Sequence, residues 1–535
     1  MASETELQLN ALTIPNLKNI LKNHKLPVSG IKSVLIKRII KHIPTASIFD
    51  QNIDNHVVQA SIPKDEYKIK KLADSKIVEL LDHPKYVDYR QNMIDILNNN
   101  TKSIFLNGHQ GNISIFNNIM RLLSTNTSIK KINIEQFPLS EQSGRLLGSV
   151  LIHNKIKYLG ITSCTRSYTM FQPWIKTFGN SLRINHTLKY LNIIDCRLNS
   201  LGEDESIIKA ITNNKSIKHL TLRNIYVDDY KFEEEQLSNM LLNNKTITSL
   251  SLINSGCGGG CKYFLESLSS YTALRTFCFC NLFCMQEDIY CLISALKNNS
   301  SIDKFVFSSN IINFDLWKQL IDVLSNKKMK SLSLFESYLS DDDIIYLCDR
   351  YVDIDIEALS FKNITLSSTS IDHLSKKLLA NNIYVRNLEL SYNRFDDDDI
   401  KILFNAMVGN KNIKNLNISH SYSGYINSTT ILDIIKENFI EKLDISTSRF
   451  IGGLSGIGEV LSENYTLKEL SLEGLHITDN IAQQIFIGLQ NNDTLAALNL
   501  NDNPISKNLL DNINNIVEKN RLTSRSLTYM LLNEL

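Results

Sequence analysis

The chain has 535 residues, 43% of them hydrophobic, with 57 Lys and Arg against 56 Asp and Glu and a formal net charge of +1. That is ample for a large core, and a near-neutral total excludes a chain that adheres to nucleic acid over its whole surface. The first ten residues, MASETELQLN, hold no basic n-region and no apolar h-region, and no apolar run approaches the ~18 residues of a membrane span. Neither a secretory signal nor a membrane segment is expected, so the nine cysteines read as reduced intracellular thiols.

Residues 1–10 read as a short disordered lead. Residues 11–43 differ in character. They carry Lys18, Lys22, Lys25, Lys32, Lys37, Arg38 and Lys41 and no acid, which leaves 50 basic and 56 acidic side chains in the rest of the chain. The charge is segregated rather than absent. Leu17, Ile20 and Leu21 have helical spacing, as do Val34, Leu35 and Ile39, with Leu26-Pro27-Val28-Ser29-Gly30 between them. Ser29 suits the cap of the second helix. Lys18, Lys22 and Lys25 share one face of the first helix, and Lys32, Lys37, Arg38 and Lys41 ride the second.

This pattern resembles the SAP domain, a helix–extended turn–helix module. The matching features are Leu17-Lys18 with Leu21, Leu26-Pro27-Val28-Ser29-Gly30-x-Lys32, and Leu35-x-x-Arg38. Lys25 departs from the family, which has Gly before the Leu. The resemblance implies binding of double-stranded DNA, with phosphates held by Lys18, Lys22, Lys25, Lys32, Lys37, Arg38 and Lys41 and by the helix start at Ser29 and Gly30. The other reading is a solvated basic hairpin used for protein contact.

Residues 44–65, with Pro44 and Pro63, read as a linker. Residues 66–100 hold a helical pattern from Leu72 to Leu97 and are expected to form an N-terminal cap on a repeat array. From residue 101 to 521 one frame recurs, seen plainly in Leu495-x-x-Leu498-x-Leu500-x-x-Asn503-x-Ile505. Its anchor, the second Leu of the frame, recurs at Ile104, Ile132, Leu159, Leu191, Leu220, Leu250, Phe277, Phe305, Leu332, Leu359, Leu388, Leu416, Leu443, Leu470 and Leu498. The steps run from 27 to 32 residues, and two residues past every anchor stands another Ile, Leu or Phe. Alternation with period 2 places both on one face of a strand, and a helical pattern such as Ile481, Ile485 and Leu489 comes next. The frame resembles the leucine-rich repeat of the ribonuclease-inhibitor class. That resemblance implies an α/β solenoid, a horseshoe with a parallel sheet inside and helices outside. Residues 522–535 are expected to form a C-terminal cap.

Asn pairs close many of the helical patterns, among them Asn213-Asn214, Asn243-Asn244, Asn298-Asn299 and Asn491-Asn492, and read as left-handed helix ends. Cys164 and Cys196 sit five past their anchors, where a small polar group packs under the turn. Cys257, Cys261, Cys278, Cys280 and Cys284 lack the paired knuckles of a zinc site, and Cys278 and Cys280 should face the concave side. The runs Asp341–Asp343 and Asp396–Asp399 should cap helix starts. Gly256 to Lys262, GCGGGCK, lacks the second Gly and the Ser or Thr of a nucleotide loop. No catalytic or metal constellation is found, and no cofactor is expected.

The concave face falls one residue to either side of each anchor. It comprises Tyr158, Tyr190 and His219 on one side and Asn192, Thr221, Ser251, Ser333, Ser360, Asn417, Ser471 and Asn499 on the other. This small, polar surface suits a protein partner. Two before the anchor, ten of fifteen positions hold Lys or Arg, including the first five, which reads as a solvated edge with phosphate tracking as the alternative. The sequence thus describes a non-enzymatic, monomeric adaptor that holds DNA at one end and a protein on the repeats, nuclear or in a viral replication compartment. The alternative is a cytoplasmic scaffold or inhibitor resembling ribonuclease inhibitor, with no DNA binding.

Overall fold

The computed structural model describes residue 21 and residues 32–42, 89–98, 101–108, 112–164, 173–196, 198, 207–225, 230–254, 261–280, 286–308, 312–420, 426–448, 450–451 and 453–533. The chain divides into two compact units, 1–93 and 94–535. Most of the expected linker and cap, residues 44–88, lies outside the described residues.

In the first unit a helix runs from Lys32 to His42. Leu35, Ile36 and Ile39 are buried on it, as is Leu21. Val34, grouped with Leu35 and Ile39 by its helical spacing, is exposed. The spacing explains the difference, because 34, 37 and 41 form one stripe of a helix and 35, 36 and 39 another. Val34 therefore shares the solvated stripe of Lys37 and Lys41.

The second unit is a leucine-rich-repeat solenoid. Fifteen parallel strands form one sheet in strict chain order, from Ser103–Asn107 to Ala497–Asn499. Every anchor pairs with the next one, Ile104 with Ile132 at one end and Leu470 with Leu498 at the other. Anchors and the residues two beyond them line the buried side, as the pattern eBiBi of Lys131–Glu135 and iBiBi of Ser249–Ile253 illustrates. Helices return the chain between strands, as parallel neighbours require. No helix among the described residues is long and apolar enough to cross a membrane.

Strand length changes along the sheet. The first ten strands have five residues, and the last five in the sheet have three. In four of those five a side chain one residue past the anchor accounts for it; Ser471, in the strand Glu469–Ser471, makes no such bond. Glu389 accepts from the N–H of Ser391 at 2.8 Å, Asn417 from Ser419 at 2.9 Å, Asp444 from Ser446 at 3.0 Å and Asn499 from Asn501 at 3.1 Å. These local bonds divert the N–H from the ladder and turn the chain out of the strand early. Leu390 is fully buried yet lies one residue past its strand.

The turn after the strands has its own rule. Four residues past the anchor, twelve repeats place a residue at positive φ, including Gln136, Ser163, Glu336, Tyr392 and Thr447, and only Gly474 among the twelve is a glycine. Each such N–H from Gln136 to Gly474 donates into the next repeat, as Gln136 does to the Thr162 carbonyl at 2.9 Å, which offsets the backbone strain. One residue further on, Cys164 and Cys196 are buried and donate their thiols to Thr162 and Ile194 carbonyls at 3.3 and 3.2 Å, as expected.

The Asn pairs do a different job from the expected one. None of those four pairs is at positive φ. The second Asn of each is buried and joins repeats. Asn244 Nδ2 donates to the Ile211 and Asn214 carbonyls, both at 3.0 Å, while its Oδ1 accepts from the N–H groups of Thr246 and Ile247. Asn185, Asn214, Asn299, Asn382, Asn464 and Asn492 repeat this scheme. The series starts with Asn126, which donates to the Ile96 carbonyl of the helix Arg90–Asn98, and ends with Asn520 on the last helix, Lys507–Asn533. Where Asn is missing, Tyr271 donates its hydroxyl to the Ile247 carbonyl and Lys327 its ammonium to the Leu296 carbonyl.

The acidic runs open helices as expected. Ser340 with Asp343, and Asp396 with Asp399, form capping boxes. Asp341 then bridges to the following repeat, accepting from Ser367 and Ser370 hydroxyls, and these bonds hold its carboxyl below its ordinary value.

Candidate functional site

Of the residues assigned to DNA, Lys18, Lys22, Lys25, Ser29 and Gly30 lie outside the described residues, and Lys32 is described only as the first residue of its helix. Lys37 and Lys41 are exposed on one stripe, and Arg38 is half-buried beside it. Four residues separate the two lysines, so they flank a single turn opposite Leu35, Ile36 and Ile39.

The eleven residues assigned to a protein partner all fall on the side of the sheet opposite the buried anchors, because each stands one residue from an anchor in a period-2 strand. Nine of them form two clusters. In the first, Asn192 donates to the Tyr158 hydroxyl at 2.9 Å, Tyr158 and Tyr190 have ring centroids 6.2 Å apart, and Tyr190 stacks on His219 at 4.2 Å with planes 6° apart. Thr221 lies beside Asn192 in the register. Burial in this stack holds the His219 ring below its ordinary pKa. Lys131 sits 4.6 Å over the Tyr158 ring and closes the row.

The second cluster is a concavity of about 470 Å³ on the last seven strands. Its floor includes Ser360, Asn417, Ser471 and Asn499, together with Glu389, Asp444 and Glu469, three carboxylates that the sequence pattern alone did not single out. They are tied into a lattice. Asn417 donates to Glu389 at 2.8 Å, Asn499 to Glu473 at 2.7 Å, and Lys442 pairs with Glu469 at 2.7 Å. Ser333 stands in register beside Ser360, just ahead of this basin.

Between the clusters, Ser251 faces Cys278. The Cys278 and Cys280 sulfurs are 3.4 Å apart, on the concave side as expected. The hydrogen bond from Cys280 holds the Cys278 thiol below its ordinary value, aided by Ser251 and opposed by burial, and the same pairing pushes Cys280 up. Burial also raises Cys164 and Cys196, the latter to about 11. Cys257 and Cys284 lie outside the described residues, and among the described residues no three His, Cys, Asp or Glu side chains are placed to hold a metal ion.

The basic edge, two before the anchors, is not uniform. In the later repeats Lys330 pairs with Asp303 at 3.0 Å, Lys468 with Glu441 at 2.7 Å, and Lys414 donates to the Phe439 carbonyl. In the first five repeats Lys102, Lys130, Lys157, Lys189 and Lys218 stand in unbroken register, and among the described residues none of the five has an ion-pair partner.

Residues 8–44 match the family described as the SAP domain, in agreement with the resemblance seen in the sequence. The chain is similar to NACHT, LRR and PYD domains-containing protein 4B of Mus musculus, 30% identical over 116 residues that make up 21% of this chain and 13% of that protein. It is similar to NACHT, LRR and PYD domains-containing protein 14 of Mus musculus, 22% identical over 327 residues, 55% of this chain and 32% of that protein. The chain thus spans a third or less of the length of these curated relatives. Among solved structures, the complex of Rad7 and Elc1 in yeast aligns with a TM-score of 0.41 at 15% identity, covering 84% of this chain and 94% of that one.

Proposed function

We propose that this protein is a non-catalytic, monomeric adaptor that acts in the nucleus, holding duplex DNA through residues 11–43 and a protein through the open face of its repeats. The observation that carries the DNA half is the match of residues 8–44 to the SAP domain, in a stretch whose described helix separates Lys37 and Lys41 from the buried Leu35, Ile36 and Ile39. Lys18, Lys22, Lys25, Lys32, Lys37, Arg38 and Lys41 supply the cations, and the helix start near Ser29 and Gly30 supplies backbone N–H groups. The protein half rests on a solenoid with an open sheet face that is polar and carries Tyr158 and Tyr190 as aromatic anchors.

Seven cations on so small a module neutralise roughly four to six phosphates, which gives a log–log salt slope of about −4 to −5. The segment is poor in side chains that read base edges, so preference follows groove shape, with modest micromolar affinity. The test is fluorescence anisotropy of the full chain on duplex DNA across a salt series. Lys37→Glu with Arg38→Glu and Lys41→Glu is expected to abolish binding while the repeats keep their circular dichroism. Absence of binding by the unsubstituted protein at low salt sinks the DNA half and leaves a protein-only scaffold.

A further inference from the structure

The end of the sheet where the strands begin is electrostatically one-sided. The segments leading into the second to sixth strands, residues 124–131, 152–158, 184–190, 212–219 and 242–249, hold eight lysines and no Asp or Glu. The equivalent segments ahead of the tenth, thirteenth and fourteenth strands, residues 351–358, 435–442 and 462–469, hold seven acids and three lysines. The first acid met along this edge of the sheet is Asp303, and Lys330 neutralises it at 3.0 Å.

Within the basic stretch, five lysines form a straight row. The N–H groups of Lys130, Lys157, Lys189 and Lys218 each donate to the carbonyl of the preceding lysine in the row, at 2.8 to 2.9 Å. The backbone ladder therefore holds the row rigid, and only the side chains are free to adapt. Directly beside it runs the row Lys131, Tyr158, Tyr190 and His219. Tyr190 and His219 cover one face of each other, and Lys131 covers one face of Tyr158, so this row offers fewer ring faces on which a single-stranded nucleic acid would stack its bases. Tyr190 is nonetheless exposed, which leaves a cationic line and an aromatic line side by side.

The spacing selects an occupant. Parallel strands lie ~4.8 Å apart, so five lysines span about 19 Å. An extended peptide repeats on one face every ~6.7 Å and falls out of step with this row by the second strand. An α-helix returns to the same face every 5.4 Å, and four turns cover about 22 Å. We propose that the basic edge of the first five strands receives an acidic amphipathic helix of a partner protein, with carboxylates at i, i+3/i+4 and i+7 over the lysine row and an apolar stripe over Tyr190. This rests on the reading of the open face as a protein interface.

The test uses the full chain and two fluorescent 18-residue peptides of one composition. One carries Glu along a single helical stripe with Leu on the adjoining stripe, and the other spreads the same residues around the helix. Anisotropy should show the striped peptide binding at least tenfold more tightly. Lys157→Glu with Lys189→Glu and Lys218→Glu should remove at least tenfold of that affinity, the same three changes to Gln should remove less, and Lys37→Glu with Lys41→Glu should change nothing. Equal binding of the two peptides, or indifference to the triple change in a protein with unaltered circular dichroism, overturns the proposal. So does a single-stranded oligonucleotide that competes for the row and loses as much affinity as the peptide, since it assigns the row to phosphates. Peptides selected from a random library keep the two readings apart. If they are lost on Glu389→Lys with Asp444→Lys but not on the triple change, this proposal fails and the protein interface stands. If they respond to neither, both fail.

Discussion

Asn243 and Asn244 offer a paired test of what holds the repeats together, because two identical neighbours have opposite roles. Asn244 is fully buried; its Nδ2 donates to the Ile211, Thr212 and Asn214 carbonyls of the preceding repeat at 3.0 to 3.3 Å, and its Oδ1 accepts from the Thr246 and Ile247 N–H groups and the Thr246 hydroxyl at 2.8 to 3.1 Å. Asn243 is exposed and donates to the Asn239 carbonyl within its own helix. The amide has two N–H hydrogens and two lone pairs, so Asn244→Ala removes the equivalent of about four bonds of about 1 kcal/mol each and leaves buried groups to be rehydrated or strained, and roughly 3–5 kcal/mol is expected at this interface. Asn243→Ala should fall within about 0.5 kcal/mol, since its lost bond is solvated and Ala favours a helix. A repeat array need not unfold in one step, so a single midpoint is a poor measure. Hydrogen exchange of the Thr246 and Ile247 amides reads the interface directly. A loss of 3 kcal/mol accelerates exchange by roughly a hundredfold, at tenfold for every 1.4 kcal/mol. Equal exchange in the two variants, or acceleration below threefold in Asn244→Ala, would refute the ladder as the agent of cohesion.

Two further outcomes are expected. Gly488→Ala should destabilise the last repeats by at least about 2 kcal/mol by the overpacking it forces, because a Cβ there would come within 2.1 Å of the Gly458 carbonyl oxygen; Gly409→Ala, with nothing within 4 Å, should stabilise its helix by about 0.5–1 kcal/mol. Denaturant series on both variants check the opposite signs. Asp341 is held below its ordinary value near 3.8 by the Ser367 and Ser370 hydroxyls, so its contribution is fully present above that value and is lost as the pH falls from there through the lower native value. Protection of the amides around 341–371 should weaken on acidification from pH 5 to 3, and Ser367→Ala with Ser370→Ala should remove that acid sensitivity; a pH response unchanged in the double variant would refute it.

The fold was legible because two periodicities coincide. Alternation within a strand and a step near 28 residues between strands locate every anchor, and the observed register joins Ile104 to Leu498 through all of them. What stayed hidden needs a neighbour to become visible. An Asn at a helix end is locally a candidate for the left-handed region, and only the stacked repeat shows Asn244 reaching the Ile211 carbonyl. The left-handed turns fall on Asn, Asp or Gly in only half of the twelve repeats and elsewhere on residues such as Gln136, Ser163 and Glu336, so no consistent punctuation marks them in the sequence; from Gln136 to Gly474 the N–H of each is taken up by a carbonyl of the following repeat. Glu389 and Asn417 look like ordinary polar face residues until their bonds to Ser391 and Ser419 are seen to shorten the strands.

The same logic governs the open face. Counted along the sequence, basic residues recur two before the anchor in early and late repeats alike, and the row reads as a solvated edge. Charge on a surface acts after pairing, however, and pairing is a property of adjacent repeats. Lys330 and Lys468 meet Asp303 and Glu441 across one strand spacing, at contacts of 3.0 and 2.7 Å, and their fields are largely cancelled a few ångströms into solvent. Lys157, Lys189 and Lys218 have no acid within the segments on either side, so their fields add. Five like charges ~4.8 Å apart lie well inside the ~8 Å screening length of physiological salt, and each therefore repels its neighbours. That repulsion is a cost in the free protein which an anionic partner relieves. Dispersing the row by Lys157→Gln with Lys189→Gln should accordingly raise the stability of the first repeats at low salt and leave it unchanged at 1 M salt, where screening shortens to ~3 Å. Hydrogen exchange of the Tyr158–Thr162 and Tyr190–Ile194 strands at the two salt concentrations measures this, and a salt-independent change would mean that the lysines act through packing and not through charge.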